Sequence, residues 1–366
     1  MRVLVCPTAF KGTLGAAEAA AAMARGVRAA LPDARVREMP LSDGGPGLLD
    51  ALRAAGADGA LEELSVTGPL GGSVPARILW TGAPDATGRT AVVESADACG
   101  LARVPEGGAD ALRAHTRGVG ELVAEAVARG ASRVVVGLGG SATTDGGTGM
   151  ARVFGWRFLG ADGAELPPGG GPLARLDRIA PGRRPAADVT GLADVETPLN
   201  GARGAARTFG PQKGATADEV KRLVESLERL SDRLAEDLGA AEVADRPGSG
   251  AAGGLGAGLA AFLGADLAEG SAWVLERTGF DTALADADLV VTGEGAYDAS
   301  SAAGKIVGRV LERARARDVP AALVCGSVEG EPGPGVRAAD GEGRRLDADD
   351  LAALAGRAAA SLGDEA

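Results

Sequence analysis

Histidine, cysteine and lysine are scarce in this chain of 366 residues, and their scarcity excludes several kinds of chemistry. The one histidine, His115, cannot build a histidine-rich metal site, and its place in "LRAHTRGVGELV" predicts a surface or helix-capping residue rather than a catalytic one. The three cysteines, Cys6, Cys99 and Cys325, lie far apart without CxxC spacing, which argues against a disulfide framework or a structural zinc site. Acid–base chemistry therefore falls to carboxylates or lysines.

Long hydrophobic runs and an excess of positive charge are also missing. No uninterrupted apolar run reaches the ~18 residues of a spanning helix, and the start "MRVLVCPTAF" lacks secretory signal features, so we expect a cytoplasmic protein without a membrane partner. The formal net charge of -12 argues against nucleic-acid binding, which needs a basic face. A small anionic ligand is still compatible with this charge, because it needs only a local positive pocket.

The order of apolar and amphipathic segments indicates an α/β protein. A strand at 2–6, a helix at 15–31, a strand at 34–41 and a helix at 47–56 give the βαβα pattern of a parallel sheet. The same pattern returns near the C-terminus, around two strands and a helix. We therefore predict one domain built from both chain ends, residues 1–62 and 284–366, with a second α/β domain inserted at 63–283. The default ligand site is then the cleft between the domains.

The inserted segment has a different pattern of predicted elements from the two ends. Residues 60–101 read as short strands joined by Gly/Pro turns, which favours antiparallel pairing. Helices are predicted at 118–130 and at 218–239, the second with charges of both signs on its outer face. The stretch 329–345, rich in glycine, proline and charge, is predicted to be a solvated loop before a last alanine-rich helix.

Glycine-rich turns that carry polar residues follow several predicted strands. Ligands of open α/β sheets bind at the carboxyl ends of the strands, so these turns predict a binding site. They are "TAFKGTL" (8–14), "LSDGGPG" (41–47), "GLGGSATTDGGTG" (137–149), "ADVETPLNG" (193–201), "TFGPQKGA" (208–215) and "VVTGEGAYD" (290–298).

Two standard phosphate-binding motifs do not account for these turns. A Walker A loop is absent, since Gly304 and Lys305 are followed by Ile306. The dinucleotide fingerprint is met formally by Gly137, Gly139 and Ala142, but "TTDGG" then inserts a turn where a helix should continue. A nicotinamide enzyme is therefore the least favoured reading.

The residues in these turns suit phosphoryl transfer. That reaction needs cations and backbone amides on the phosphates, carboxylates that hold magnesium, and a carboxylate that accepts a hydroxyl proton. The few lysines of the chain include three beside glycine turns, and three aspartates lie in turns of the same kind: Lys11, Lys213, Lys305, Asp43, Asp145 and Asp194.

Together these motifs resemble the glycerate kinase family of the bacterial, two-domain type. The matching strings run in family order over nearly the whole chain, and the most specific are "GLGGSATTDGG" and "FGPQKGAT". The resemblance implies a Rossmann-like or flavodoxin-like domain built from both chain ends beside a distinct α/β domain. It also implies an active-site cleft, and transfer of the γ-phosphoryl group of ATP, with Mg²⁺, to D-glycerate.

The resemblance and the turn chemistry together suggest roles for individual residues. Asp194 would orient or deprotonate the acceptor hydroxyl, Lys11 would stabilise charge on the transferring group, and Asp43 or Asp145 would hold magnesium or substrate. The residues expected to bind substrate or phosphate are Gly139, Gly140, Ser141, Thr143, Asp145, Gly146, Gly147, Lys213, Gly293, Glu294, Gly295, Asp298 and Lys305.

Some turns depart from the family pattern. Thr8 and Pro46 stand where the family has acidic residues, and Ala296 and Tyr297 stand where it has Arg and Leu. Loss of an arginine near a carboxylate or phosphate would remove a bidentate contact. Two alternatives follow: a kinase of the same fold that acts on a different small hydroxy acid, and a metabolite-binding protein without turnover.

Overall fold

The computed structural model describes residues 1–10, 12–57, 59–82, 88–302 and 304–363. The strands β1 to β13 are, in chain order, Arg2–Val5, Arg35–Glu38, Leu61–Thr67, Ser73–Thr81, Thr90–Glu94, Arg133–Gly137, Arg157–Leu159, Arg178–Ala180, Asp188–Leu192, Asp266–Ala268, Leu289–Tyr297, Ala321–Val328 and Val336–Asp340. The α-helices α1 to α13 are Ala16–Ala30, Leu48–Ala54, Ser95–Cys99, Arg117–Ala128, Thr148–Val153, Ala205–Phe209, Ala217–Leu238, Ala251–Gly258, Gly270–Arg277, Phe280–Ala285, Ala299–Ala302, Ile306–Arg315 and Ala348–Gly363.

The chain divides into two compact units. Unit 1 consists of Met1–Asp43, Gly47–Ala57 and Gly270–Ala366, and unit 2 consists of Gly44–Pro46 and Asp58–Glu269. These boundaries precede the predicted ones at 62 and 284. The difference at the second boundary arises because α9 packs against α2 and α12, which are both elements of unit 1.

The sheet of unit 1 has five parallel strands in the order β13-β12-β11-β1-β2. The central pairing joins the two ends of the chain, since Val3 lies beside Leu289 on one side and beside Val36 on the other. Counted along the chain within this unit, the order is 2-1-3-4-5, which is that of flavodoxin-like sheets. The predicted parallel α/β unit is confirmed, and its strand order reverses between β1 and β11.

Helices α1 and α13 cover one face of this sheet and pack closely on each other. The alanine-rich face of α1 buries Met23 and Val27 against the sheet. A Cβ atom at Gly26 would lie 1.8 Å from the carbonyl oxygen of Ala352, so only glycine permits this crossing. The small side chains predicted on this helix thus allow the tight contact.

The predicted loop at 329–345 is wrong in part, because Val336–Asp340 forms β13. It pairs in parallel with β12, from Ala321 beside Val336 to Cys325 beside Asp340. The strand lies on a sheet edge with every residue exposed or half-buried, so its sequence lacks the apolar run that identifies a buried strand. The connection from β12 to β13, residues 329–335, is too short to contain a crossover helix.

The sheet of unit 2 has six strands in the order β10-β9-β6-β5-β4-β3. Strands β3, β4 and β5 pair antiparallel, as the sequence predicts, while β5, β6, β9 and β10 run parallel. The long predicted helix is α7, which begins with a capping box between Thr216 and Glu219. Among the described residues, none of the helices has both the length and the hydrophobicity required to cross a membrane.

Candidate functional site

The carboxyl ends of three parallel strands of unit 2 lie side by side. Glu94 of β5 pairs with Gly137 of β6, and Gly137 pairs with Leu192 of β9. The segments that follow these three residues therefore leave the same edge of the sheet. They carry Ser95, the glycine turn that begins at Gly139, and Asp194. We call this edge, with those three segments, the unit 2 edge.

The glycine turn of unit 2 folds around a carboxylate of its own chain. Asp145 is fully buried, and its Oδ2 accepts hydrogen bonds from the amide and the hydroxyl of Thr116, both at 2.9 Å, and from the amide of Gly149 at 2.9 Å. Its Oδ1 accepts a hydrogen bond from the amide of Gly147 at 3.1 Å. The first residues of α4 and α5 thus both point amides at this one carboxylate, where the helix dipoles favour negative charge.

This arrangement favours a structural role for Asp145 over the predicted role in holding magnesium or substrate. Two of the predicted ligand-binding amides are also engaged, because Gly146 donates to the carbonyl of Gly253 and Gly147 donates to Asp145. Within the described residues, no group of three or more His, Cys, Asp or Glu side chains could hold a metal ion. A magnesium ion bound with a nucleotide needs only one or two protein carboxylates.

A second glycine-rich segment, "GAAGG" at 250–254, packs against the glycine turn. Ala252, Gly253 and Gly254 all have positive φ angles, of 50°, 70° and 88°. A Cβ atom at Gly253 would lie 1.9 Å from the carbonyl oxygen of Thr143. These three residues therefore interrupt the first turn of α8 with a left-handed backbone, which is rare outside functional or strained sites. Sequence reasoning did not select this segment as part of the site.

Lys213 lies in the interior of unit 2, behind the glycine turn. It is 3% exposed, and its Nζ donates hydrogen bonds to Ser141 Oγ at 3.2 Å and to the carbonyl oxygen of Thr143 at 2.5 Å. Burial lowers the pKa of this lysine to about 8, against the opposing effects of the nearby Cys99 and of the charge of Asp145. The structure therefore brings Lys213 into contact with Ser141 and Thr143, which lie 72 and 70 residues earlier in the chain and are predicted for the same site.

Asp194 lies half-buried two residues beyond the end of β9. Gly139 stands two residues beyond the end of β6, so the paired strands present both segments at the unit 2 edge. The loop after Asp194 is fixed to the second glycine segment, because the amide of Gly250 donates to the carbonyl of Thr197 at 2.9 Å. The structure thus keeps Asp194 beside the glycine turn.

The prediction that His115 is a surface or capping residue is wrong. His115 is 6% exposed, its amide donates to the carbonyl of Pro69, and Thr116 is the residue that caps α4. Burial lowers the pKa of His115, while the charge of Asp145 raises it. Its Nδ1 has no hydrogen-bond partner among the described residues. The groups around His115 include Pro69 and Asp145, which lie in distant segments, so sequence inspection does not reveal its burial.

In unit 1 the strand order reverses between β1 and β11, and the loops that follow both strands lie together. The amide of Thr8 donates to the carbonyl of Gly293 at 2.9 Å, and its hydroxyl donates to the same oxygen at 3.4 Å. Such a reversal point is where open α/β sheets bind ligands. We call it the unit 1 edge. Lys11, predicted for this turn, lies outside the described residues.

Glu294 is the most unusual carboxylate of the unit 1 edge. Its Oε1 is buried and has no hydrogen-bond partner among the described residues. Burial is the largest effect on its pKa and raises it; a hydrogen bond with Ser301 and the charge of Lys305 oppose this, while Asp298 and Asp43 reinforce it. The structure thus brings Glu294, Asp298, Lys305 and Asp43 into electrostatic contact, as the sequence predicts for neighbouring turns.

The residues that depart from the family pattern differ in their burial and in their contact with the predicted site. Tyr297 is 4% exposed, so its side chain belongs to the interior of unit 1, whereas Ala296 is exposed. Pro46 packs on the glycine turn, since a Cβ atom at Gly140 would lie 2.9 Å from Pro46 Cγ. A substitution at Tyr297 therefore acts through packing, while Pro46 bears directly on a predicted site residue.

A cavity of about 580 Å³ lies at the amino ends of β12 and β13. Leu311, Arg315, Val336 and Leu362 are among its lining residues, which include none of the predicted site residues. Since ligands of parallel sheets bind at the carboxyl ends of strands, the cavity lies at the wrong end of the sheet for the predicted chemistry.

Comparisons with known proteins agree with this arrangement. The model of a family described as the glycerate kinase family matches residues 3–340. The chain is 42% identical over 340 residues to "Glycerate kinase" of Bacillus subtilis (strain 168), with 90% of this chain and 85% of that protein covered. It is 38% identical over 345 residues to "Glycerate 2-kinase" of Escherichia coli (strain K12), with 91% and 87% covered.

A solved structure shows the same architecture. It is the crystal structure of a protein from Salmonella typhimurium LT2 named provisionally as glycerate kinase 2. The two chains superpose with a TM-score of 0.81 and 36% sequence identity, and the match covers 100% of this chain and 99% of that one. The fold is therefore shared over the whole length of both chains.

Proposed function

Because this chain belongs to the glycerate kinase family, we propose that it transfers the γ-phosphoryl group of ATP to a hydroxyl group of D-glycerate. The observation that carries the proposal is the family match over residues 3–340, together with relatives named as glycerate kinases that are aligned over about nine-tenths of the chain. The unit 1 and unit 2 edges supply the kinds of groups that phosphoryl transfer requires.

The unit 2 edge suits the acceptor. Asp194 stands beside the glycine turn at the end of β9, where a carboxylate can orient the acceptor hydroxyl and accept its proton. Asp145 does not compete for this role, because its oxygens already accept four hydrogen bonds within the protein. Asp194 is therefore our candidate for the proton-accepting residue.

The unit 1 edge suits the phosphates of the nucleotide. Lys305 is the N-cap residue of α12, so its charge adds to the positive end of a helix of ten residues. Gly293 is needed for the packing of the sheet, because a Cβ atom there would lie 2.1 Å from the carbonyl oxygen of Val324. The carboxylates of Asp43, Asp298 and Glu294 are hard oxygen donors of the type magnesium prefers, and one or two of them would suffice beside a nucleotide. Oε1 of Glu294 has no hydrogen-bond partner among the described residues. Magnesium bound there would neutralise charge on the phosphates.

Release of ADP from Mg-ATP, with and without D-glycerate, tests the proposal. We expect release that depends on D-glycerate, with formation of a phosphoglycerate detected by phosphorus NMR. If ADP release requires a different hydroxy acid, the acceptor assignment is wrong. If ATP and D-glycerate bind but no hydroxy acid supports release, the protein is a binding protein without kinase activity.

A matched pair of variants on β9 and the loop after it tests the role of Asp194. Asp194→Asn should lower kcat by ~10²-fold or more, because a general base contributes typically 10²–10⁴-fold. Asp188→Asn, at the exposed opposite end of the same strand, should leave kcat unchanged. Equal kcat values for Asp194→Asn and the unmodified protein would remove Asp194 from the mechanism.

A further inference from the structure

Lys213 is a buried cation whose hydrogen bonds go to neutral groups. It is 3% exposed, and among the described residues its ammonium group donates to a hydroxyl and a carbonyl oxygen, with no carboxylate in salt-bridge contact. A buried charge is costly unless it is paired, and the groups that compensate it usually lie in the same site. The charge of Lys213 thus points to an anion that arrives with a ligand.

The hydrogen bonds of Lys213 also fix the orientation of Ser141. The ammonium group can only donate, so Ser141 Oγ is the acceptor in the 3.2 Å contact. The hydroxyl hydrogen of Ser141 must then point away from Lys213, where it is available to an acceptor. Ser141 follows Gly140, which is exposed at the unit 2 edge. Ser141 and Lys213 are both only 3% exposed, and Gly140 is the exposed residue of the turn next to Ser141.

We infer that Ser141 and Lys213 form the subsite for the carboxylate of the acceptor. Ser141 donates its hydroxyl hydrogen to that carboxylate, and Lys213 is a positioning residue that holds the hydroxyl and supplies the compensating charge. This inference rests on the proposed function, because it assumes a hydroxy-acid acceptor at the unit 2 edge.

The number of available donors favours a carboxylate over a phosphate. A phosphate of a nucleotide carries more charge and is usually bound by several amides and cations. Here the amides of Gly146, Gly147 and Gly149 are already engaged by Gly253 and Asp145. One hydroxyl backed by one buried cation matches a singly charged carboxylate.

The charge state of Lys213 provides an independent signature. Burial lowers its pKa to about 8, so the free protein loses this charge in mildly alkaline solution. The titratable groups that act on Lys213 are Cys99, whose pKa is raised by burial to about 12, and Asp145. His115 acts on Asp145 in turn and has a lowered pKa, so it is neutral at pH 8. The affinity for an acceptor anion should therefore decline above about pH 8.

Steady-state kinetics of two variants test the inference. Lys213→Met keeps the aliphatic stem and removes the charge, and Ser141→Ala removes the hydroxyl. Each should raise KM for D-glycerate roughly 10- to 100-fold while KM for ATP changes little, because a hydrogen bond to a charged group is lost. The decline of kcat/KM for D-glycerate above about pH 8 should disappear in Lys213→Met.

Two control variants lie on α7. Lys221→Met removes an exposed lysine that pairs with Asp218, and Ser226→Ala removes a buried hydroxyl that has no hydrogen-bond partner within the described part of the chain. Both should leave KM for D-glycerate and its pH dependence unchanged. Circular dichroism of all four variants establishes that they are folded, and a variant that fails to fold is replaced by Lys213→Gln or Ser141→Cys.

The outcomes separate this inference from the proposed function. If the unmodified protein shows no turnover that depends on D-glycerate, the proposed function fails. If it turns over D-glycerate but folded Lys213 and Ser141 variants keep its KM and pH profile, the carboxylate subsite is wrong. If these variants raise KM for ATP instead, Lys213 compensates a nucleotide phosphate, and the assignment to the acceptor is overturned.

Discussion

Asp145 and Thr116 are joined twice, because Oδ2 of the aspartate accepts hydrogen bonds from both the amide and the hydroxyl of the threonine at 2.9 Å. The threonine hydroxyl in turn accepts a hydrogen bond from the amide of Met150 at 3.0 Å. This pair therefore fixes the start of α4 to the start of α5. The anion that the glycine turn holds is a side chain of the turn itself.

Replacement of Asp145 should destabilise the protein. In Asp145→Asn the side-chain NH2 would face amide donors, which leaves buried groups unsatisfied, so we expect the free energy of unfolding to fall by about 2–4 kcal/mol. Urea denaturation measures the change. Asp218→Asn, on the exposed start of α7, should change stability by less than about 0.5 kcal/mol. A fully stable Asp145→Asn protein with reduced activity would instead favour the magnesium role.

Two glycines with similar φ angles distinguish steric crowding from backbone strain. Gly253 has φ +70° and crowds Thr143, whereas Gly163 has φ +76° and nothing within 4 Å of an added Cβ. Gly163→Ala should cost ~1–2 kcal/mol from its left-handed backbone. Gly253→Ala should cost clearly more or prevent folding, because backbone atoms must also move. Thermal unfolding of the two variants compares them, and equal losses would contradict the close contact seen at Gly253.

The lowered pKa of Lys213 predicts a pH dependence of stability. Between about pH 8, where the folded protein loses this proton, and the ordinary lysine pKa of 10.5, the unfolded chain binds more protons. The contribution of Lys213 to the free energy of unfolding therefore rises with pH across that window. Buried thiols such as Cys6 act in the opposite sense, because burial raises their pKa to about 12. The difference between the unmodified protein and Lys213→Met, followed by urea denaturation from pH 7 to 10, isolates the lysine. A difference that stays constant with pH would show that Lys213 is not perturbed.

Glu294 should behave as a carboxylate that opposes stability. Burial raises its pKa, so the folded protein retains this proton at pH values where the unfolded chain has lost it. Stability should therefore decrease as pH rises from the ordinary glutamate pKa through the raised one. Glu294→Gln should be more stable than the unmodified protein at neutral pH and lose that advantage in acid. Glu312→Gln, exposed on α12, is the control. Thermal unfolding at pH 4 and pH 7 measures both, and a less stable Glu294→Gln protein at pH 7 would contradict the cause given for the raised pKa.

Most of the fold could be predicted from local patterns. The βαβα order at the N-terminus and the apolar runs at β11 and β12 identify a parallel sheet, and the Gly/Pro turns identify the antiparallel strands β3 to β5. The edge strand β13 was missed because it is short and largely exposed, which leaves no hydrophobic signature.

The site was predicted less completely than the fold. Lys213 and Ser141 belong together as expected, because both lie in glycine turns that follow elements of unit 2. The role of Asp145 could not be read from its turn, since two of its four hydrogen bonds come from Thr116, which lies 29 residues earlier in the chain. The burial of His115 is likewise set by distant residues. Sequence patterns locate polar groups, but only the folded structure shows which of these groups form hydrogen bonds with one another.

The pairing of β1 with β11 has a consequence for how the protein is made. The amide of Arg2 donates to Asp288, which follows 286 residues later in the chain. The ribosome releases β1 and β2 long before β11 is synthesised, so β1 lacks its neighbour β11 for most of translation. Almost all of unit 2 is continuous in sequence and can fold while synthesis continues. Unit 1 therefore completes its sheet late, by a long-range pairing that forms only after the last quarter of the polypeptide, residues 270–366, has been synthesised.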